Sequence, residues 1–255
     1  DSLKMSSSFS NAHEAGAPLF NEFGTDKLAI SFNKSTITYQ ELAILKNQFQ
    51  KKLEDLYIPK GAKFVVITKN KGLAAVLYYC IQQTGHTYIP IAHDHPSARI
   101  DSIVQEAKPV LVFSDFLESD KYKVTDVSMD NPFLHLVEEN ILSRKRDSYT
   151  VDTSYIIFTS GSTGVPKGVP ISYQNILSLI DEYAAFDISS ADSVAQIASL
   201  SFDASVFEFS LAFHIGATLK IFDTKVGHEH FPDFIRQNEI THFLMTPEYY
   251  TILDF

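Results

Sequence analysis

Apolar residues recur along this chain in two alternating rhythms. Leu42, Leu45, Phe49, Leu53 and Leu56 stand three or four apart and form one stripe of a helix. Immediately before them, Thr38-Tyr39-Gln40-Glu41 has capping-box spacing: the Thr hydroxyl accepts from the N3 amide while Glu41 reaches back. Pro59-Lys60-Gly61 ends that helix, and the apolar run 64–67 reads as a short buried strand. The exchange then repeats, with a helix over 72–84 closed by Gly85, a strand over 88–91, a helix opened by Pro96 and running to 108, and a strand over 110–113. Strands and helices alternating through short connections predict a parallel sheet covered by helices, joined by right-handed crossovers.

The rhythm weakens over 114–152, which is more polar and holds Arg144-Lys145-Arg146 and one faint helical pattern near 133–142. This stretch reads as a connection between two lobes, and the basic triplet as a solvated turn. Alternation resumes with a strand at 155–159, a helix at 172–186, a strand at 193–198 and a helix at 204–215 stopped by Gly216. A strand at 218–222, a helix at 231–238, a strand at 241–244 and a final helix opened by Pro247 follow, with eight residues left after that proline. The expected organisation is an arm over 1–27 laid on the surface, a first α/β lobe over 28–150 and a second over 151–255.

Composition narrows the function classes. A chain of 255 residues, 45% hydrophobic and 20% charged, can bury a sizeable core and is not wholly disordered. Lys plus Arg is 21 against 31 for Asp plus Glu, a formal net charge of -10, which argues against non-specific nucleic-acid binding. A nucleotide ligand remains open, because a small phosphate site can be made from backbone N–H groups and one lysine. Cys80 is the single cysteine, so no intrachain disulfide or all-cysteine metal site is available. With no apolar run of membrane length and no long apolar stretch at the start, a reducing cytoplasm without membrane association is expected.

The chemistry concentrates in Tyr155-Ile-Ile-Phe-Thr-Ser-Gly-Ser-Thr-Gly-Val-Pro-Lys-Gly-Val169. An apolar strand runs into Thr159, Ser160, Gly161, Ser162, Thr163 and Gly164, where two glycines let the backbone approach a ligand and four hydroxyls offer donors. Lys167 adds a cation, completing the set a polyphosphate needs. A Walker A loop fails on spacing, since only two residues separate Gly161 from Gly164 and Lys167 does not follow the second glycine directly. No Gly-x-Gly-x-x-Gly is present, and Ser162 lacks the flanking glycines of a nucleophile elbow. A flexible Ser/Gly linker is the plain alternative, but linkers seldom join an apolar strand directly or end in Pro-Lys-Gly.

This segment resembles the signature loop of the adenylate-forming enzymes, the superfamily of acyl-CoA synthetases, luciferases and peptide-synthetase adenylation domains. Ile37-Thr-Tyr-Gln-Glu-Leu42 is similar to that family's early helix start. Gly85-His-Thr-Tyr-Ile-Pro-Ile91, followed by Pro96 and Arg99-Ile100, is similar to its Gly-x-x-Tyr-x-Pro segment, with Ala92-His93 where the family usually has Asp-Pro. Phe202-Asp203-Ala-Ser-Val-Phe207-Glu resembles the stretch with which amino-acid adenylation domains of non-ribosomal peptide synthetases begin the amino-acid pocket. The likeness runs over about residues 20 to 255.

The resemblance implies stacked, largely parallel sheets with flanking helices, the N-terminal core of an adenylate-forming α/β enzyme. It implies that Thr159, Ser160, Gly161, Ser162, Thr163, Gly164 and Lys167 hold ATP phosphates, with Mg²⁺ shielding them. Asp203 would pair with the substrate α-ammonium, and Ala204 and Phe207 would line the side-chain pocket, which suggests an apolar, branched aliphatic amino acid. Read without the family, Asp203 is simply an N-cap. The implied reaction joins an amino acid and ATP into an aminoacyl adenylate and pyrophosphate, with transfer to a carrier protein's phosphopantetheine thiol. An acyl- or aryl-CoA ligase of the same superfamily is one alternative, and a non-catalytic nucleotide- or partner-binding fragment is another. His93-Asp94-His95 and His228-Glu229-His230 read as surface loops rather than metal sites, and no catalytic or metal-binding residue is assigned. The family's metal and adenine motif, ribose-binding Asp and C-terminal catalytic Lys are not in this sequence. The chain is therefore expected to be an N-terminal part of a larger enzyme, inactive in adenylation on its own.

Overall fold

Two sheets take up the alternating strands, and neither respects the expected division at residue 150. The computed structural model describes residues 18–253 apart from 22, 24, 120, 122, 123, 127, 129–149 and 161–165. The weak helical pattern at 133–142, the basic triplet and residues 1–17 of the expected arm lie outside the described residues. One sheet has four strands in the order β2-β1-β10-β9, and the other six in the order β6-β5-β3-β4-β7-β8. In the first, β1 (Leu28–Phe32) and β2 (Ser35–Thr38) join β9 (Ser193–Gln196) and β10 (Thr218–Ile221). In the second, β3 (Lys63–Ile67), β4 (Thr87–Pro90), β5 (Leu111–Ser114) and β6 (Thr125–Asp126) join β7 (Thr153–Ser160) and β8 (Pro166–Ser172). Each sheet thus draws strands from both sides of 150, and every pairing is parallel except β1 with β2 and β7 with β8.

The helices form where the sequence places them. Helix α1 (Tyr39–Asp55) opens on the capping box: Thr38 accepts from the Glu41 N–H while the Thr38 N–H donates to Glu41 Oε2 at 2.7 Å. Helices α2 (Lys71–Gln83) and α5 (Asp203–Ile215) are apolar on nearly every face, as a helix between two sheets must be. Every residue from Gly72 to Gln83 is buried. Phe64, Leu111 and Tyr155 of the six-stranded sheet and Ile30, Leu219 and Val194 of the other close one core around α1, α2, α5 and α4 (Tyr173–Tyr183). Tyr78 of α2 and Ser210 of α5 meet inside it, Oη to Oγ at 2.6 Å. On the outer face of the six-stranded sheet, α3 (Ser97–Ala107) packs on Val65, Ile89 and Val112. On the outer face of the four-stranded sheet, Ala195, Ile197 and Phe222 meet α6 (Phe231–Gln237) and Tyr249 of α7 (Pro247–Ile252). The layers are therefore helix, sheet, helices, sheet, helix, which is the stacked arrangement that the family resemblance implies.

Three expectations change. The end of the arm is not laid over the surface: Leu19 and Phe20 are 4% exposed, and the Phe20 backbone exchanges two hydrogen bonds with the Gln83 side chain, at 2.7 and 3.0 Å. The end of the signature loop around Lys167 belongs to an edge strand, Pro166–Ser172. Its two prolines are tolerated because β8 has a partner on one side only. The strand expected at 241–244 contracts to one parallel bridge between Val194 and His242, with Ala195 N–H donating to His242 O at 2.9 Å.

Candidate active site

Strand direction decides where ligand chemistry can gather. Because β7 runs parallel to β4, which runs parallel to β3, the phosphate-loop candidate leaves the same edge at which β3 and β4 end. In open α/β sheets that carboxyl edge is where ligands bind. A polar cleft of about 640 Å³ lies there, lined from one sheet by Thr68, Lys71 and Asp115 and from the other by Asn33, Ile197 and Asp223. Both sheets therefore present their carboxyl ends to one space.

The hairpin of β7 and β8 carries the loop. Thr159 faces Lys167 and Ser160 faces Pro166 in antiparallel register, so the ends of residues 161–165 are held together. Thr159, Ser160 and Lys167 are exposed, and the Thr159 hydroxyl donates to Lys167 O at 3.4 Å. Gly161, Ser162, Thr163 and Gly164 lie outside the described residues. One step beyond Lys167, a Cβ on Gly168 would stand 2.9 Å from Ile156 Cγ2 and 3.0 Å from the Phe158 ring. The bare backbone at Gly168 lets β8 close on β7 and so fixes the base of the loop. Two exposed hydroxyls and a cation at the mouth of such a turn suit a triphosphate.

Asp203 begins α5, but it is not the cap. The N-cap residue is Phe202, in extended conformation and with no side-chain capping bond, so the Asp203 carboxylate is left exposed in the first turn. The N-cap alternative for Asp203 thus falls to the geometry. Its charge reaches β7: the Tyr155 hydroxyl is pushed up to about 12 by burial first and by the Asp203 carboxylate second. Asp203 and the strand that leads into the phosphate loop are electrostatic neighbours.

One turn on, Phe207 is 5% exposed and lines a largely apolar cavity of about 280 Å³. Tyr183, Leu211 and Leu244 form other walls, and the Phe207 and Tyr183 rings lie 4.5 Å apart. Ala204 is half-buried, and neither it nor Asp203 lines that cavity. The structure brings Thr159, Ser160 and Lys167 together, and sets Phe207 into a pocket of its own.

Two residues at the junction have no place in the sequence-based site. Glu208 is 2% exposed, and its carboxylate accepts the N–H groups of Ile197 at 3.2 Å and Ala198 at 3.3 Å and the Gln196 Nε2 at 2.9 Å. Burial pushes its pKa up to about 7 despite those bonds and the attraction of Lys71. Lys71 donates from Nζ to Ile197 O at 3.0 Å, and burial pulls its pKa down to about 8 against the pull of Glu208 and Asp223. A lone acid inside Val206-Phe-Glu-Phe-Ser-Leu was the available sequence signal. His93, Asp94 and His228 sit on the polar cleft, and no group of three or more His, Cys, Asp or Glu residues converges as a metal site among the described residues. No helix among them is long and apolar enough to cross a membrane.

The fold and this edge define a class: an α/β core whose candidate phosphate-binding residues stand on a β-hairpin at the carboxyl edge. The family model described as AMP-binding enzyme matches residues 20–253, and the chain belongs to that family. Among curated relatives, tyrocidine synthase 1 of Brevibacillus parabrevis is 29% identical over 236 residues, which is 89% of this chain and 22% of that protein. Zwittermicin A synthase ZmaJ of Bacillus cereus is 29% identical over 235 residues, 86% of this chain and 43% of that protein. The chain thus spans less than half the length of these relatives. Among solved structures, the N-terminal subdomain of NpsA from Klebsiella oxytoca, in complex with 3-hydroxyanthranilyl-AMSN, superposes with a TM-score of 0.66 at 25% identity, covering 86% of this chain and 56% of that one. CmiS6 shares the fold with a TM-score of 0.75 at 22% identity over 89% of this chain and 57% of that one.

Proposed function

We propose that this chain carries the N-terminal part of an amino-acid adenylation site. An amino acid and ATP would give an aminoacyl adenylate and pyrophosphate, and the acyl group would then pass to the phosphopantetheine thiol of a carrier protein. The observation that carries this reading is the exposed Asp203 carboxylate acting electrostatically on Tyr155 of β7, the strand that ends in Thr159 and Ser160. Thr159, Ser160 and Lys167, with the loop 161–164 that they bracket, would hold the β- and γ-phosphates, whose charge grows as pyrophosphate leaves. Mg²⁺ would arrive on those phosphates, and no residue of this chain is assigned to it. Asp203 would take the α-ammonium through charge-assisted hydrogen bonds. Phe207, with Tyr183, Leu211 and Leu244, would surround an apolar side chain.

An aryl acid is the second reading, favoured by the aromatic walls Phe207, Tyr183 and Phe186 and by the likeness to the NpsA subdomain. Calorimetric binding of panels of aminoacyl-, aryl- and fatty-acyl-sulfamoyladenosines separates the two without requiring turnover. Tighter binding of an aminoacyl compound that Asp203→Ala abolishes supports the first reading. Binding of aryl compounds alone, indifferent to Asp203→Ala, supports the second.

A further inference from the structure

The segment 197–202 that connects β9 to Asp203 is gripped from both sides. From α5, Glu208 takes the N–H groups of Ile197 and Ala198. From the N-terminus of α2, Lys71 takes the carbonyl of the same Ile197. Gln196, fully buried at the end of β9, completes the grip by donating to both Glu208 Oε2 and Ala198 O, the latter at 2.6 Å. Lys71 opens the helix that links β3 to β4 of the six-stranded sheet, and Ile197 follows β9 of the other, so the bond crosses between the sheets. Ile197 and Lys71 line the polar cleft, whereas Glu208 lines the apolar cavity beside Phe207. The two residues thus sit in the wall between the polar cleft and the apolar cavity.

We propose that Lys71 and Glu208 are positioning residues for the substrate loop, and that their hydrogen bonds to Ile197 and Ala198 hold segment 197–202 in the conformation that presents the Asp203 carboxylate to the substrate amine. This rests on the reading of Asp203 as the amine partner. A carboxylate that accepts three donors keeps the loop's N–H groups directed inward. A protonated carboxyl gives up acceptor capacity and releases part of the grip. The groups facing Glu208 are Lys71 from α2, Asp223 beyond β10 through Lys71, and Tyr183 and His242 across the apolar cavity, with Asp203 one and a half turns back on its own helix. Of these, Lys71 is the cation that favours the ionised form of Glu208.

The test follows the backbone amides of Ile197 and Ala198 in the whole chain by two-dimensional NMR from pH 5.5 to 8.5, on the order of a ±1.5-unit window. Both amide resonances should move with one midpoint at about 7. The midpoint should rise by roughly one pH unit in Lys71→Met, stay in place in Lys71→Arg, and vanish in Glu208→Gln. Amides that do not titrate in the unmodified chain, or a midpoint unmoved in Lys71→Met, would overturn the charge coupling. A second arm measures calorimetric binding of AMP and of leucyl- and phenylalanyl-sulfamoyladenosine. Lys71→Met should weaken the tighter aminoacyl compound roughly tenfold and leave AMP unchanged, with Lys71→Arg restoring it. Loss of aminoacyl binding in Asp203→Ala without any loss in Lys71→Met would overturn the positioning role. Should Asp203→Ala itself bind like the unmodified chain, the amine reading fails, and the grip is then judged on the amide titration alone.

Discussion

At the residue scale, buried Glu208 and half-buried Lys71 make stability depend on pH in two opposed ways. The pKa of Glu208 is raised from 4.5 to about 7, so the folded chain holds that proton more tightly than the unfolded one. Its contribution to stability is full below 4.5 and is lost as pH rises through about 7. Lys71 is lowered from 10.5 to about 8, so its penalty is relieved as pH rises from 8 towards 10.5. Urea unfolding should show the difference between the unmodified chain and Glu208→Gln shrinking between pH 5 and 7, on the order of a two-unit span. A difference independent of pH would show that Glu208 titrates alike in both states. Gly168 gives a separate prediction. Gly168→Ala drives a methyl against Ile156 and Phe158 and should cost about 1–3 kcal/mol, read as a lowered unfolding midpoint. Single residues were legible where the chemistry is local: the Thr38/Glu41 box forms as its spacing implies. Asp203 was legible as a helix-start residue, but which residue caps depends on the extended backbone of Phe202, at φ -106° and ψ 147°, which no local residue pattern announces.

At the scale of elements, the central helices are the most demanding parts. Helix α2 has no exposed face, so the usual amphipathic stripe gives way to continuous apolar sequence, and the polar groups that enter must be paired. Gln82 donates to Ser154 O at 2.9 Å and accepts from Ser154 Oγ at 2.6 Å, tying α2 to β7. Ser210 Oγ donates to Val206 O at 2.7 Å, which leaves Tyr78 as the donor in their contact. Tyr78→Phe therefore removes one hydrogen bond without stranding Ser210 as a donor, and should cost about 0.5–1.5 kcal/mol in chemical denaturation. Phe209→Ala, at a fully buried position between the sheets, should cost about 3–5 kcal/mol in the same measurement. The helices and most of the parallel strands were legible because each carries its own period. Strands β1, β2, β6 and β8 were not. β8 contains two prolines and a glycine, and its pairing with β7 is set by an edge position that the sequence does not announce. β1 and β2 turn at Asn33, whose φ of 54° belongs to a tight hairpin, and their sheet partner β10 lies far along the chain.

At the scale of the molecule, the long-range pairings of β1 with β10 and of β4 with β7 make the two expected lobes inseparable. Residues 18–150 and 151–253 produced as separate chains should each lack cooperative unfolding by circular dichroism, because each leaves a sheet without its partner strands. Two-state unfolding of either piece alone would contradict that. The same interleaving sets the carboxyl end of β7 on the side to which both sheets present their carboxyl ends, and the proposed chemistry depends on it. Its most direct test is calorimetric binding of a matched pair, leucyl-sulfamoyladenosine and the analogue lacking only the α-amine. Charge-assisted pairing to Asp203 predicts that the amine compound binds roughly tenfold to a hundredfold more tightly, and that Asp203→Ala erases the difference. Equal affinity for the two compounds in the unmodified chain, or a preference that survives Asp203→Ala, would contradict an amino-acid site.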